Sequence, residues 1–251
     1  MALESILFFG DVHAPFEDKR ALRLVLDVAT ALQPHHLVCL GDLMDCYSVS
    51  AHSKDPSRKA DLAWEVGYTE GILDHFDALK TKGKKYFIEG NHEFRLQRFI
   101  ADKAPMFEGL VSIPQVLGLK ARGWSYTPYR THTTLGKLVL THDVGYAGRY
   151  AAHRTLDALQ HSVVTGHTHR ISAVVESNLL GEPKIAASFG WLGDRTAIDY
   201  MHKGKVTRDW ALGFGLGTLD PKTGFVQLTP IPLLEVGKSL TCMVHGEKFS
   251  V

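Results

Sequence analysis

The sequence predicts an α/β chain built from two packed sheets with helices on the outside, and three observations carry that reading. Five short apolar runs each end in a residue type that ligates metal ions. In the first part of the chain such runs alternate with amphipathic helical patterns, as in a mostly parallel sheet. The second part turns into short strand-like runs separated by turn clusters, which asks for a second sheet.

The first apolar run, residues 5–10, leads into Asp11 and His13. Residues 18–33 then read as a helix, because Leu22, Val25, Leu26, Ala29 and Leu32 share one face and Pro34 stops the pattern. Residues 36–40 form the second run, leading into Asp42 and Asp45, so strand, helix and strand make a βαβ unit. Residues 60–80 look helical through Leu62, Val66, Ile72, Leu73, Phe76 and Leu79, although Gly67 and Gly71 weaken the pattern. The third run, 84–89, leads into Asn91 and His92, and His92 to Ala101 reads as a helix halted before Pro105.

The fourth run, 137–141, leads into His142, and the fifth, 162–166, into His167 and His169. Helical patterns become rare after about residue 160. Residues 171–176, 184–189, 211–219 and 225–229 look like strands, with turn clusters at 179–183 and 220–224. Residues 46–60 and 102–135 are loop-rich connections between motif strands, positioned to wall a site. With no low-complexity linker and no internal repeat, the expectation is one domain over 1–251, with ligand motifs over 11–169 and a β-rich second half over 160–235.

Composition sets the outer limits. The 251 residues are 45% hydrophobic and 22% charged, ordinary for a globular protein with a full core. A net charge of +1 gives no overall field for duplex DNA or an anionic membrane. Basic residues gather locally in Lys54/Arg58/Lys59 and in Lys80/Lys82/Lys84/Lys85, and the second cluster reads as solvated faces of loops and helix ends. Three cysteines, Cys39, Cys46 and Cys242, form no paired spacing, so a reducing compartment is expected. The N-terminus has no basic region and only a short apolar run, and no stretch approaches a membrane span. A cytoplasmic protein is the expectation.

The candidate ligands form a consistent chemical set. Asp11/His13 and His167/His169 are i, i+2 pairs, which in extended backbone face one side. Asp42 follows Gly41, and a carboxylate has two oxygens with which to bridge two cations. Asn91 follows Gly90 and offers a neutral amide oxygen suited to manganese- or magnesium-like ions. With His142, these make seven N/O ligands, whereas a closed structural zinc site needs four and prefers cysteine. Seven suit two divalent ions roughly 3.5–4 Å apart with positions open for substrate, the geometry of in-line attack on phosphorus by a bridging hydroxide. Manganese is the first expectation for the ions, with iron or zinc as alternatives.

His92 adjoins a ligand but opens the expected helix, so it is placed to give a proton to a leaving alkoxide. Asp45 either orients His92 or serves as a turn or N-cap aspartate. Cys46 is discounted as a ligand because the other candidates are O and N donors. His35, His36, His75, His132, His153, His161, His202 and His245 have no motif context and read as ordinary residues, while His52, in the loop after the second motif, is held open as a substrate contact. Arg95 and Arg98, spaced i, i+3, could clamp a phosphate or form a solvated helix face. Tyr146, Arg149 and Tyr150 follow His142 closely and are candidates for the rim.

The ordered blocks Asp11-x-His13, Gly41-Asp42-x-x-Asp45, Gly90-Asn91-His92-Glu93, His142 and Gly166-His167-x-His169 resemble the calcineurin-like metallophosphoesterases. That resemblance implies a four-layer α/β/β/α sandwich. It also implies Asp11, His13 and His169 on one ion, Asn91, His142 and His167 on the other, Asp42 between them, His92 as proton donor and Asp45 as its partner. The protein phosphatases of this superfamily carry an arginine where Cys46 stands, which counts against a phosphoprotein substrate. The chain is also too short for the capping domain of the nuclease branch. It looks most like the small stand-alone bacterial and phage members, in a bacterial or infected-host cytoplasm.

The expected activity is hydrolysis of a phosphodiester in a nucleotide or single-stranded nucleic acid. A phosphomonoesterase is the alternative, and a non-catalytic scaffold of the same fold is a third reading. The oligomeric state is left open by the sequence.

Overall fold

The computed structural model describes residues 2–55, 57–58, 61–197 and 209–251. Lys59 and His202, two residues of the sequence reading, lie outside them. The first part runs β1 (Glu4–Phe9), α1 (Lys19–Leu32), β2 (His36–Cys39), α2 (Leu62–Asp77), β3 (Lys85–Ile88), α3 (Phe94–Lys103), a single turn α4 (Ile113–Val116) and β4 (Trp124–Thr127). Then come β5 (Thr133–Leu135), β6 (Leu138–Leu140), α5 (Ala151–Leu159), β7 (Val163–Thr165), β8 (Ile171–Ser177) and β9 (Pro183–Phe189). The chain closes with β10 (Gly213–Leu219), β11 (Val226–Pro232), β12 (Leu234–Val236), β13 (Ser239–Val244) and β14 (Glu247–Ser250).

The helices start where local chemistry starts them. Asp18 caps α1 by accepting the amides of Arg20 and Ala21, and Gln33 ends it in a left-handed conformation just before Pro34. Asp61 caps α2 through the Trp64 amide. The third helix opens at Phe94 rather than at His92, which sits in the preceding turn. Glu93 cannot cap it, because its side chain is directed to backbone amides elsewhere.

Two sheets stack with helices outside. The first has the order β11-β10-β1-β2-β3-β4, the second β5-β6-β7-β9-β8. Strand alternation explains the layering. Leu7, Phe9, Leu37, Cys39 and Phe87 point outward and pack with Leu24, Val25 and Val28 of α1 and with Ile72 and Phe76 of α2. Their neighbours Ile6, Phe8, Val38, Leu40, Tyr86 and Ile88 point inward and meet Leu138, Leu140, Val164, Ala187 and Phe189 of the second sheet. On the far side, Leu156 of α5 packs on Val163 and Ala186. The four-layer α/β/β/α arrangement follows.

The β-rich second half does not form one sheet. Strands β10 and β11 pair antiparallel onto β1 and extend the first sheet, with Glu4 opposite Leu219 and Phe8 opposite Gly215. Residues 102–135 are less loop-like than expected, since they hold α4, β4 and β5. A three-stranded sheet, β12-β13-β14, adds Leu240, Cys242 and Val244 to the outer core. All three cysteines are free and buried. No helix of the described residues is long and apolar enough to cross a membrane.

Candidate metal centre

Because β1, β2 and β3 are parallel, their C-terminal ends lie on one edge; the parallel pair β6 and β7 brings its own ends to the same place. Five loops leave those ends and interlock. The Asp11 amide donates to the Gly41 carbonyl (2.9 Å), the His13 amide to the Asp42 carbonyl (2.8 Å), and the Gly166 amide to the His142 carbonyl (3.0 Å).

The backbone there is not extended. Asp11 (φ 49°), His13 (56°), Asp42 (50°), His167 (66°) and His169 (55°) are all left-handed. Such residues each cost on the order of 1–3 kcal/mol, and the surrounding hydrogen bonds hold them there. The i, i+2 expectation is therefore corrected. Asp11 and His13 do converge, but through turns, and His167 and His169 diverge into different clusters.

Two clusters share one carboxylate. Asp11, His13, Asp42 and His169 form the first, and Asp42, His142 and His167 the second, with the atoms of each group within 4.8 Å of one another. Asn91 Oδ1 joins the second, 3.0 Å from His142 Nε2 and 2.7 Å from His167 Nδ1. In the first, His169 Nε2 lies 3.2 Å from Asp11 Oδ1 and 3.0 Å from His13 Nε2.

The donor chemistry asks for cations. His142 Nδ1 donates to the Leu40 carbonyl at 2.7 Å, which leaves Nε2 as a lone pair facing Asn91 Oδ1 and, at 3.3 Å, Asp42 Oδ2. Three acceptors thus face one another, those of Asp42 and His142 on buried residues and that of Asn91 on the wall of a cleft. Facing imidazole nitrogens repeat the pattern at His13 and His169, and His169 Nδ1 is buried without a hydrogen-bond partner. Asp11, Asp42 and Asp45 add three buried carboxylates. The seven residues fit a dinuclear metal centre.

Without ions, protons take that role. Burial alone would push His142 down, but Asp42, by charge and hydrogen bond, holds it up at about 10. Burial likewise opposes ionisation of Asp42, yet His142 and His92 hold its carboxyl well below the usual range. His169 goes the other way, down to about 4, because burial outweighs the pull of Asp11.

Beside the clusters, His92 Nδ1 lies 3.0 Å from Asp45 Oδ2, which is also 3.4 Å from His13 Nδ1. Arg95 donates to the Asp45 carbonyl (2.9 Å) and to Asp45 Oδ1 (3.1 Å) and places Nη2 3.0 Å from His92 Nε2. A guanidinium has only donors, so His92 Nε2 accepts here and Nδ1 carries the proton toward Asp45. Asp45 is thus the partner of His92, not a helix cap. Arg95 is no free phosphate clamp, since its guanidinium is committed to Asp45 and His92.

The other substrate candidates stay further out. Arg98 is exposed on α3 and His52 is exposed in its loop, and neither lines the cleft of about 340 Å³ formed by Asp42, Asn91, His92, His167 and His169. Ala147 and Gly148, between Tyr146 and Arg149, do line it. The tyrosine is partly buried, the arginine exposed.

Two contributions have no counterpart in the sequence reading. Glu93, fully buried, accepts the amides of Asp42, Met44 and Gly90, each at 2.9 Å, and so fixes the loops that carry Asp42 and Asn91. Its place inside the Gly90–Glu93 block is the signal that marks it. Trp191 stacks on His169 at 5.1 Å, and Trp210 meets the same ring edge-on at 4.1 Å. Nothing in the spacing of these tryptophans points to a histidine.

Fold and site together define a metal-dependent phosphoesterase architecture, and the chain belongs to the calcineurin-like phosphoesterase family, whose model matches residues 4–171. It is similar to the Gene 54 protein of Mycobacterium phage D29, with 27% identity over 90% of this chain and 93% of that one. The Gene 54 protein of Mycobacterium phage L5 is 26% identical over the same shares. Among solved structures, Vps29 from Chaetomium thermophilum complexed with a cyclic peptide superposes with a TM-score of 0.51 at 12% identity, covering 99% of this chain and 96% of that one, a likeness of fold.

Proposed function

We propose that the protein hydrolyses a phosphodiester of a nucleotide or of single-stranded nucleic acid in the cytoplasm of a bacterial cell, with manganese as the preferred ion. The observation that carries this reading is Asp42 shared between two clusters of N/O ligands. Asp11, His13 and His169 would hold one ion and Asn91, His142 and His167 the other. Two such ions, when bound, supply positive charge for the phosphoryl oxygens and an activated water.

The chain's own groups do the rest. His92 lines the cleft and is oriented through Nδ1 by Asp45. To protonate a leaving alkoxide it must carry a proton on Nε2, and Arg95 must then withdraw from that nitrogen. The commitment of Arg95 to Asp45 leaves less positive charge for a dianionic monoester, which favours the singly charged diester. The scaffold alternative offers no reason to hold five residues in left-handed backbone around facing acceptors.

The test is an assay of manganese-loaded protein on methyl 4-nitrophenyl phosphate and on 4-nitrophenyl phosphate, which share a leaving group. The diester should turn over faster. A faster monoester would replace this reading with a phosphomonoesterase, and a protein that binds no ion and cleaves neither ester would be a scaffold.

A further inference from the structure

A histidine that ligates a metal ion needs its ring held in plane, and a hydrogen bond from the second ring nitrogen commonly does this. His142 is held in that way, by the Leu40 carbonyl at 2.7 Å. His169 is not. Its Nε2 faces Asp11 and His13, and its Nδ1 is buried with no hydrogen-bond partner. Packing holds the ring instead. The Trp191 indole lies nearly parallel to the imidazole, with centroids 5.1 Å and planes 11° apart, and Trp210 closes the ring in edge-on at 4.1 Å.

Trp191 is fully buried, and its backbone is pinned on both sides. Its amide donates to the Ala211 carbonyl and its carbonyl accepts the Gly213 amide, each at 3.1 Å. The same strap reaches the other ligands of the first cluster. The Leu192 amide donates to the Asp11 carbonyl and the Ala211 amide to the His169 carbonyl, each at 3.0 Å, and the Trp191 ring lies 6.5 Å from the His13 ring. Among the described residues, no hydrogen bond or ring contact joins Trp191 or Leu192 to Asn91, His142 or His167. A Cβ on Gly193 would run into the Trp191 ring, so the glycine lets the strap fold back over the indole. The indole N–H is itself buried without a partner, so the strap uses the face of the ring and not its donor. Both tryptophans lie beyond residues 4–171, the part of the chain that the family model matches.

We propose that Trp191 is a positioning residue for one ion of the pair: its stacked ring takes the place of the missing hydrogen bond on His169 and sets the affinity of the ion held by Asp11, His13 and His169. The ion on Asn91, His142 and His167 does not depend on it. This rests on the two-metal reading and gives its two sites different supports, a hydrogen bond behind His142 and an aromatic face behind His169.

The test is calorimetric titration of the metal-stripped full chain with manganese, in two backgrounds that each leave one site. His167→Gln keeps the first cluster and His169→Gln keeps the second. Adding Trp191→Leu should raise Kd tenfold or more in the His167→Gln background, the size of effect seen when the support behind a metal ligand is removed. It should leave Kd within about twofold in the His169→Gln background. Trp191→Phe, which keeps an aromatic face, should stay within about threefold in both. Should Trp191→Leu not fold, Gly193→Ala replaces it, because it displaces the indole without removing it; it should weaken the first site at least threefold and spare the second. Equal losses in the two backgrounds would make Trp191 a core residue only and overturn the proposal. So would unchanged affinities, or a Trp191→Phe protein as impaired as Trp191→Leu. The wild-type titration judges the two-metal reading separately: fewer than two ions per chain would overturn that reading and the proposal with it.

Discussion

Gly90→Ala tests how tightly the bridging carboxylate is packed. Gly90 is not left-handed, so its backbone would accept alanine, and the cost is steric alone. A Cβ on Gly90 would fall well inside contact distance of Asp42 Oδ1 and Asp42 N, and 2.8 Å from Asp42 Cγ. Neither partner is the end of a flexible side chain, so the loop carrying Asp42 must move by on the order of 1 Å, an overpacking that costs ~1–3 kcal/mol. For a chain of this size each kcal/mol lowers Tm by roughly 2–4 °C, so the metal-stripped variant should melt about 2–12 °C lower. Ligand distances tolerate only about 0.2 Å, so the same movement should cost the variant at least one tightly held ion. Gly71→Ala is the control. In α2 nothing lies within 4 Å of its added Cβ, and the protein should gain about 0.5–1 kcal/mol. Calorimetric melting and a manganese titration of both variants read the outcome. A Gly90→Ala protein with wild-type Tm and two ions at wild-type affinity would refute the packing argument.

Asp42→Asn should keep the fold, lose at least one ion and nearly all turnover, and elemental analysis showing two ions per chain would remove its bridging role. His92→Ala should retain both ions while losing roughly 10²–10⁴-fold in turnover, most for poor leaving groups; an unchanged rate with an alkyl phosphodiester would take His92 out of the mechanism. His142 supplies a pH dependence. Its pKa rises on folding from 6.5 to about 10, so the stability it contributes is full below pH 6.5 and is lost as pH rises through about 10. Melting of chelator-treated protein should therefore show a decline across that window that His142→Gln flattens, and identical profiles would contradict it.

Much of this was legible in the sequence because two physical signals coincided. Periodicity marked β1, α1, β2 and β3, and the ligands fell at strand ends, which in a parallel sheet share an edge. The departures have causes that periodicity does not carry. Gly213–Leu219 alternates as any strand does, and its pairing with β1 rather than with the second sheet depends on a long-range register. The left-handed turns at Asp11 and His169 fall on residue types that enter that region more readily than most, but no spacing foretells them; neighbouring loops impose them through hydrogen bonds such as His167 N to Asp11 Oδ1 at 3.0 Å. The i, i+3 spacing of Arg95 and Arg98 leaves a phosphate clamp and a solvated face both open and says nothing of Asp45, 50 residues earlier in the chain, to which Arg95 is drawn by charge.

The central claim is that two ions sharing Asp42 are needed for phosphodiester hydrolysis. The most direct measurement is turnover of methyl 4-nitrophenyl phosphate by metal-stripped protein as manganese is added in known equivalents. Activity should rise only as the second equivalent binds and should level off at two per chain. Full activity at one equivalent, or none at two, would contradict the account.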